Sequence, residues 1–92
     1  MYSKQIRIIN KSGLHARPAS DLAQKAKEFE SAVYVKNLDV EGSEAVNAKS
    51  VIKILAEGMG QGTNLEISAE GPDERLAVDE LYELVKSGFG EL

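Results

Sequence analysis

Apolar and polar side chains alternate along several segments of this chain, and alternation with a period of two is typical of half-buried β-strands. The first segment contains Ile6 and Ile8 and ends at the turn-forming residues 10–13. The second contains Val33 and Val35, and a short third strand is predicted at 44–46 after a polar connection. The alternation returns in a fourth strand at Leu65, Ile67 and Ala69.

Between these strands, apolar residues recur at the 3.6-residue spacing of amphipathic helices. The first helix is predicted to begin at Pro18, because proline suits a first turn and restricts Arg17 before it to extended geometry. A short second helix is predicted over 51–57, with Ser50 as its N-cap and Gly58 as its stop. A third helix opens at 71–74, and its apolar stripe is Ala77, Val78, Leu81, Leu84 and Val85. Residues 87–92 are predicted to fray.

The resulting element order is βαββαβα. Helices too short to bury themselves, combined with strands that are polar on one side, predict an α+β fold. In this fold a four-stranded antiparallel sheet is covered on one face by three helices. With 92 residues and a mass of 10.0 kDa, the chain is expected to form a single domain over residues 1–92.

Composition excludes several classes of function. The chain has no cysteine and one histidine, so neither a disulfide framework nor a thiolate metal site is expected. No apolar run is long enough to span a membrane, which predicts a soluble, cytoplasmic protein without membrane insertion. A formal net charge of −4 and the lack of interleaved aromatics argue against the alternative of a small nucleic-acid binder.

The single histidine, His15, is expected to lie just outside the N-terminus of the first helix. None of the residues 14–17 is a Ser, Thr, Asp or Asn that would cap the first turn, so its amides are left for another acceptor. A phosphoryl group on the ring of His15 would satisfy them, and Arg17 would add a charge-assisted hydrogen bond. The alternative is an uncapped helix that happens to begin beside an exposed His and Arg.

Three motifs in the chain resemble the HPr family, the histidine phosphocarriers of the bacterial phosphoenolpyruvate-dependent phosphotransferase system. The segment Gly13-Leu14-His15-Ala16-Arg17-Pro18-Ala19 resembles the family's active-site signature. A second match is Asn47-Ala48-Lys49-Ser50-Val51-Ile52-Lys53, where the family carries a short helix and, in many members, a regulatory serine. The third is Gln61-Gly62-Thr63 followed by residues 67–71, which match the family's final strand and the turn after it. The resemblance implies the same fold, an open-faced β-sandwich.

The resemblance also implies a mechanism. His15 would accept a phosphoryl group at Nδ1 from phosphorylated enzyme I and pass it to a histidine on an EIIA-type protein. Arg17 would be its electrostatic partner, and the backbone amides of Ala16 and Arg17 would contact the phosphoryl oxygens. Such a carrier is a recycled substrate rather than a stand-alone catalyst. It requires no metal and no cofactor, and it is expected to be a monomer.

Ser50 has two explanations. A serine at a helix start is what capping alone selects. In family members controlled by a serine kinase, phosphorylation at the matching position impedes transfer from the upstream enzyme, and the sequence around Ser50 resembles theirs. Both explanations are compatible with the chain.

The helix that follows Ser50 carries more apolar residues than one face can bury. Four of its positions are apolar, so some are expected to face solvent and form a surface for partner proteins. The alternative is a helix wholly covered by the last helix. The expected partner-binding residues are Val51, Ile52, Lys53 and Leu55, together with Lys27.

Two branches of the family fit the chain. Lys49-Ser50 and the Gln61 motif favour the sugar-transport carrier. The long connection at 37–43, Gly71-Pro72 and the ending 87–89 resemble the nitrogen-related paralogue. The first is preferred slightly. A third possibility is a binding regulator that acts through Ser50, as in relatives without the histidine, but His15 together with Arg17 argues against it.

Overall fold

The computed structural model describes residues 1–91, and Leu92 lies outside the described residues. Its elements follow the predicted order, with an added 3₁₀ turn after the last helix. The strands are β1 (Tyr2–Arg7), β2 (Ala32–Asn37), β3 (Val46–Asn47) and β4 (Asn64–Glu70). The helices are α1 (Ala16–Ala26), α2 (Val51–Ala56) and α3 (Glu74–Lys86), and the 3₁₀ turn is Gly88–Gly90.

The four strands form one antiparallel sheet in the order β1-β4-β2-β3. The last strand in sequence is therefore central, with Ile67 opposite Lys4 of β1 on one side and opposite Val35 of β2 on the other. Three helices cover the sheet, which confirms the predicted α+β open-faced sandwich. The fully buried side chains between the layers include Leu22, Val35, Ile67, Val78 and Leu81.

The third strand was predicted at 44–46, and this position was wrong. Only Val46 and Asn47 pair, with Val35 and Tyr34 of β2 respectively. Before them, residues 40–43 form a turn closed by a bond from Ser43 N to Val40 O at 3.1 Å, and residues 44–45 are irregular. Val46 is the residue of this segment that packs against the core, so pairing begins where burial begins.

The start of α1 also differs from the prediction, since the helix begins at Ala16 and includes Arg17. The first turn is closed by Ala19 N, which donates to His15 O at 3.4 Å. Pro18 is accommodated at the third helical position because a first-turn N–H has no intrahelical acceptor to lose. The preference of a residue before proline for extended geometry is overridden here.

The C-terminal segment is not frayed through residue 91, contrary to the prediction. Gly88 and Gly90 adopt positive φ values of 72° and 78°, which reverse the chain after α3. The reversal buries Phe89, whose exposed fraction is 9%, at the edge of the core. Gly88 and Gly90 are therefore what allows the segment to fold back.

Candidate functional site

His15 is the N-cap residue of α1, so its ring lies at the open end of the helix. Its backbone is extended, with φ −112° and ψ 163°, and its side chain makes no capping hydrogen bond within the described chain. The first turn contains no acidic residue. The amides of Ala16 and Arg17 therefore project from the helix end without an intrahelical acceptor, and the helix dipole favours an anion there.

Ala16, the first residue of α1, is held in a left-handed conformation directly after His15. Its φ is 38°, a region that a residue with a Cβ adopts at a cost of about 1–3 kcal/mol. The side chain of Ala16 is exposed, so burial of that methyl group does not compensate for the strain. Such strained residues cluster at functional sites, and this one immediately follows the candidate nucleophile.

The loop that carries His15 is fixed by contacts on both sides. Asn10 is fully buried, and its Nδ2 donates to Gly13 O at 2.9 Å while Gly13 N donates to Asn10 O at 3.1 Å. Leu14 N donates to Met59 O at 2.8 Å. These bonds hold the residue before His15 against the segment that follows α2.

Arg17 is available to a ligand at the same helix end. Its side chain is 88% exposed, and its one ion pair within residues 1–91 is a long one of 3.9 Å from Nε to Asp21 Oδ2. An exposed pair at that distance contributes little to stability. The guanidinium can therefore move toward an anion at His15 without disrupting the fold.

Ser50 is the N-cap of α2, as predicted. Its Oγ accepts a hydrogen bond from Lys53 N at 3.3 Å, and its carbonyl accepts from Ile54 N at 3.1 Å. The residue is half-buried, at the junction of the core and the surface. The structure thus confirms the capping role and leaves the hydroxyl partly accessible.

The apolar residues of α2 divide between the core and solvent. Ile54 is fully buried and Val51 is half-buried, whereas Ile52 is 79% exposed and Leu55 is 38% exposed. This confirms the expectation that one face cannot bury them all, and it excludes a helix wholly covered by its neighbours. The bond from Leu14 to Met59, three residues past the end of α2, places this helix beside the His15 loop.

The basic residues near the two motifs have different environments. Lys49 Nζ donates to Phe29 O at 2.8 Å, and Lys25 Nζ lies 2.9 Å from Glu80 Oε1. These two lysines tie elements of the fold together. The side chains of Arg17, Lys27 and Lys53 are exposed.

Glu91 is a residue at this site that the sequence did not reveal. Its carboxylate accepts hydrogen bonds from Ser12 Oγ at 2.7 Å, from Asn10 Nδ2 at 3.2 Å and from Ser12 N at 3.3 Å. The Ser12 and Asn10 side-chain hydrogen bonds lower the pKa of Glu91, and the Arg17 guanidinium lowers it further. The available signal in the sequence was Phe89, an aromatic residue between two glycines, which the structure shows to be buried.

Metal binding has no obvious site here. Among residues 1–91, no three His, Asp or Glu side chains converge so as to hold a metal ion. The described helices also include none that is long and apolar enough to cross a membrane.

Comparison with known proteins identifies the family. The profile described as PTS HPr component phosphorylation site matches residues 2–87, which include His15 and Ser50. The chain belongs to the HPr family. HPr proteins are phosphocarriers of the phosphotransferase system, and the phosphocarrier protein HPr of Haemophilus influenzae is 42% identical over 85 residues, covering 92% of this chain and 95% of that protein.

HPr domains also occur within longer proteins. The multiphosphoryl transfer protein of Vibrio cholerae is 43% identical over 90 residues, 98% of this chain, but the chain spans only 22% of that relative's length. Among solved structures, HPr-C-His from Thermoanaerobacter tengcongensis superposes with a TM-score of 0.90 at 42% identity, covering 100% of this chain and 99% of that one. An HPr dimer from the same organism gives 0.74 at 43% identity, covering 99% and 100%.

Proposed function

We propose that this HPr-family chain accepts a phosphoryl group on Nδ1 of His15 from phosphorylated enzyme I and passes it to a histidine on an EIIA-type protein. The observation that carries the proposal is the uncapped N-terminus of α1 at His15, with an exposed Arg17 in its first turn. No catalytic cleft is needed, because the two partners must reach the same ring in turn.

In the forward step the unprotonated ring nitrogen of His15 attacks phosphorus. A bond forms between nitrogen and phosphorus while the bond from phosphorus to enzyme I breaks, so one bond replaces another. The oxygens that arrive with the phosphoryl group accept hydrogen bonds from the amides of Ala16 and Arg17 at the helix end. The guanidinium of Arg17 adds a charge-assisted contact, which supports a role for this residue in transfer.

Partner docking is proposed for the exposed part of α2. Ile52 and Leu55 supply apolar area, Val51 lies half-buried beside them, and Lys53 and Lys27 add positive charge at the surface. The Leu14–Met59 bond ties the segment after α2 to the His15 loop, which supports a docking surface close to the reacting ring. A partner with an apolar spot and an acidic rim would therefore meet the docking helix and the reacting ring together.

We also propose that a serine kinase regulates the chain by acting on Ser50, because Ser50 begins the helix to which we assign docking. A phosphate on Ser50 would bring about −1.5 to −2 charges to the start of the docking helix, beside Val51 and Ile52. A helix start tolerates that charge, so the fold would persist while an acidic partner would be repelled. This extends the carrier function and does not replace it.

We assign the chain to the sugar-transport branch, with the nitrogen-related branch as the alternative. The relatives named HPr align over almost their full length, which supports the first. We also propose that the carrier acts as a monomer in the cytoplasm without binding nucleic acid. Sedimentation would test the monomer, because a related HPr has been solved as a dimer.

Incubation with phosphoenolpyruvate and purified enzyme I tests the function directly. Intact mass and ³¹P NMR are followed for the wild-type chain and for His15→Ala, which removes the single histidine. An acid-labile phosphoramidate found only in the wild type supports the carrier. Its absence with several enzyme I homologues would contradict it and favour a regulator that acts through Ser50. Offering sugar-specific and nitrogen-related EIIA proteins to the phosphorylated chain then assigns the branch.

A further inference from the structure

The end of the described chain makes specific contacts with the loop that carries His15. Ser12 donates both its side-chain O–H and its backbone N–H to the carboxylate of Glu91. Asn10 Nδ2 donates to the same carboxylate at 3.2 Å. One anionic side chain therefore accepts from three donors across a separation of 79 to 81 residues.

Glu91 arrives at this position through an ordered segment. Phe89 anchors the segment in the core, and Glu91 N donates to Gly88 O at 2.9 Å, which fixes the residue at the end of the 3₁₀ turn. A side chain whose backbone is held in this way loses less conformational entropy on forming its contacts than one on a free terminus.

Within residues 1–91, Ser12 is held by Glu91 and by a longer contact of 3.4 Å from Asn10 Nδ2 to Ser12 Oγ. Gly13 is bonded to Asn10, and Leu14 is bonded to Met59, so the residues after Ser12 are held by backbone hydrogen bonds. Ser12 itself is exposed, and its strongest contact in residues 1–91 is the 2.7 Å bond to Glu91. Removing the carboxylate therefore loosens the loop between the buried Asn10 and His15.

We propose that Glu91 is a positioning residue for phosphoryl transfer, holding the loop at 10–14 so that the His15 ring faces its partner in reactive geometry. The proposal rests on the carrier function proposed above. Glu91 acts through Ser12 and Asn10 and not by contact with the phosphoryl group. Its loss is expected to lower the rate of transfer within the docked complex, while docking through α2 is unchanged.

Steady-state phosphorylation of the full chain by enzyme I tests the proposal with three variants. Glu91→Ala removes the acceptor, Glu91→Gln keeps a neutral acceptor, and Glu83→Ala removes an exposed carboxylate from α3 as the matched control. We expect Glu91→Ala to lower kcat about tenfold with KM for the chain within about twofold, because a misplacement of about 1 Å costs up to about 100-fold and the loop keeps its other hydrogen bonds. Glu91→Gln recovers most of kcat, and Glu83→Ala matches the wild type.

The outcomes separate this inference from the carrier function. If the wild type is phosphorylated and Glu91→Ala has the same kcat, the positioning role alone is overturned. A rise in KM at constant kcat also overturns it, because that result assigns Glu91 to docking. A wild-type chain that enzyme I never phosphorylates overturns the carrier function and with it the positioning role. Faster hydrogen exchange of the Ser12 amide in Glu91→Ala, with an unchanged melting temperature, is the expected structural signature.

Discussion

Gly13 lies directly against Gly60, so closely that a Cβ added to Gly13 would sit 2.5 Å from the Gly60 Cα atom. Gly13 also has a φ of 65°, which residues with a side chain seldom adopt. The glycine two residues before His15 is therefore required by both space and backbone geometry. The loop reaches its position because two backbones approach each other without side chains between them.

Gly13→Ala is expected to lower the free energy of unfolding by about 2–4 kcal/mol, from left-handed strain together with a backbone clash. The control is Gly42→Ala, where φ is 80° but no atom lies within 4 Å of the added Cβ. That variant should lose only the strain component, about 1–2 kcal/mol. Urea unfolding of both measures the difference, and equal losses would contradict the steric argument.

Arg17→Ala is expected to reduce kcat/KM for phosphorylation by about 100-fold, the size seen when a donor to developing charge is removed. Because the side chain is 88% exposed, stability should change by no more than about 0.5 kcal/mol. Arg17→Lys retains the charge but not the planar fork of donors, so it should recover only part of the rate. Wild-type kinetics in Arg17→Ala would remove Arg17 from the mechanism.

Ile52 and Ile54 of α2 should differ in their effect on stability and docking when each is replaced by alanine. Ile54 is fully buried, so Ile54→Ala should lower the free energy of unfolding by about 2–5 kcal/mol. Ile52 is 79% exposed, so Ile52→Ala should leave stability within about 0.5 kcal/mol. If α2 docks the partners, Ile52→Ala raises KM for the chain with little change in kcat. An unchanged KM would place the docking surface elsewhere.

The two roles of Ser50 separate in a pair of substitutions. Ser50→Ala removes the hydrogen bond from Lys53 N and should cost about 1 kcal/mol of stability. Ser50→Asp keeps a capping acceptor, so stability should be close to wild type while a charge is added at the docking helix. Slower phosphorylation by enzyme I in Ser50→Asp but not in Ser50→Ala is the expected pattern. Equal kinetics in both variants would argue against charge-based regulation.

Asp73 makes stability depend on pH in the acidic range. Its carboxylate accepts from Ser31 Oγ, from Ser31 N at 2.9 Å and from Glu30 N at 3.0 Å, and these bonds lower its pKa in the folded state. A carboxyl group with a lowered pKa contributes stability above its unfolded pKa of about 4, and that contribution is lost as pH falls through the folded pKa.

Urea midpoints at neutral and acidic pH test this contribution. The wild type should lose stability as pH falls below about 4, and Asp73→Asn should be less stable at neutral pH but show a shallower decline. Parallel pH profiles for the two proteins would assign the acid sensitivity to other carboxylates.

Local rules were sufficient for the parts of the site that depend on neighbours in sequence. The position of His15 at a helix start and the capping by Ser50 both follow from residues within one turn. The exposure of Ile52 follows from the number of apolar residues on a six-residue helix. These features could be predicted because the interactions that decide them are short-range.

The errors at β3 and at the end of the chain have a common cause in long-range contacts, whereas the early start of α1 at Ala16 is a matter of local first-turn geometry. The position of β3 is decided by pairing of Val46 with Val35, and the ordering of the last residues by burial of Phe89. Glu91 and Ser12 are separated by 79 residues, and neither carries a local signal for the other. Composition suggested a loose end, whereas tertiary packing made it part of the site.

The sheet order has a consequence for the synthesis of the chain. β1 and β2 do not pair with each other, because each is hydrogen-bonded to β4, whose last residue is Glu70. A nascent chain that has not yet reached this point has no partner for β1 and only the two-residue β3 for β2, so the scaffold under His15 cannot form early. Folding is therefore expected to be all-or-none once β4 is available, with a rate limited by closure of the loops that bring β4 between its neighbours.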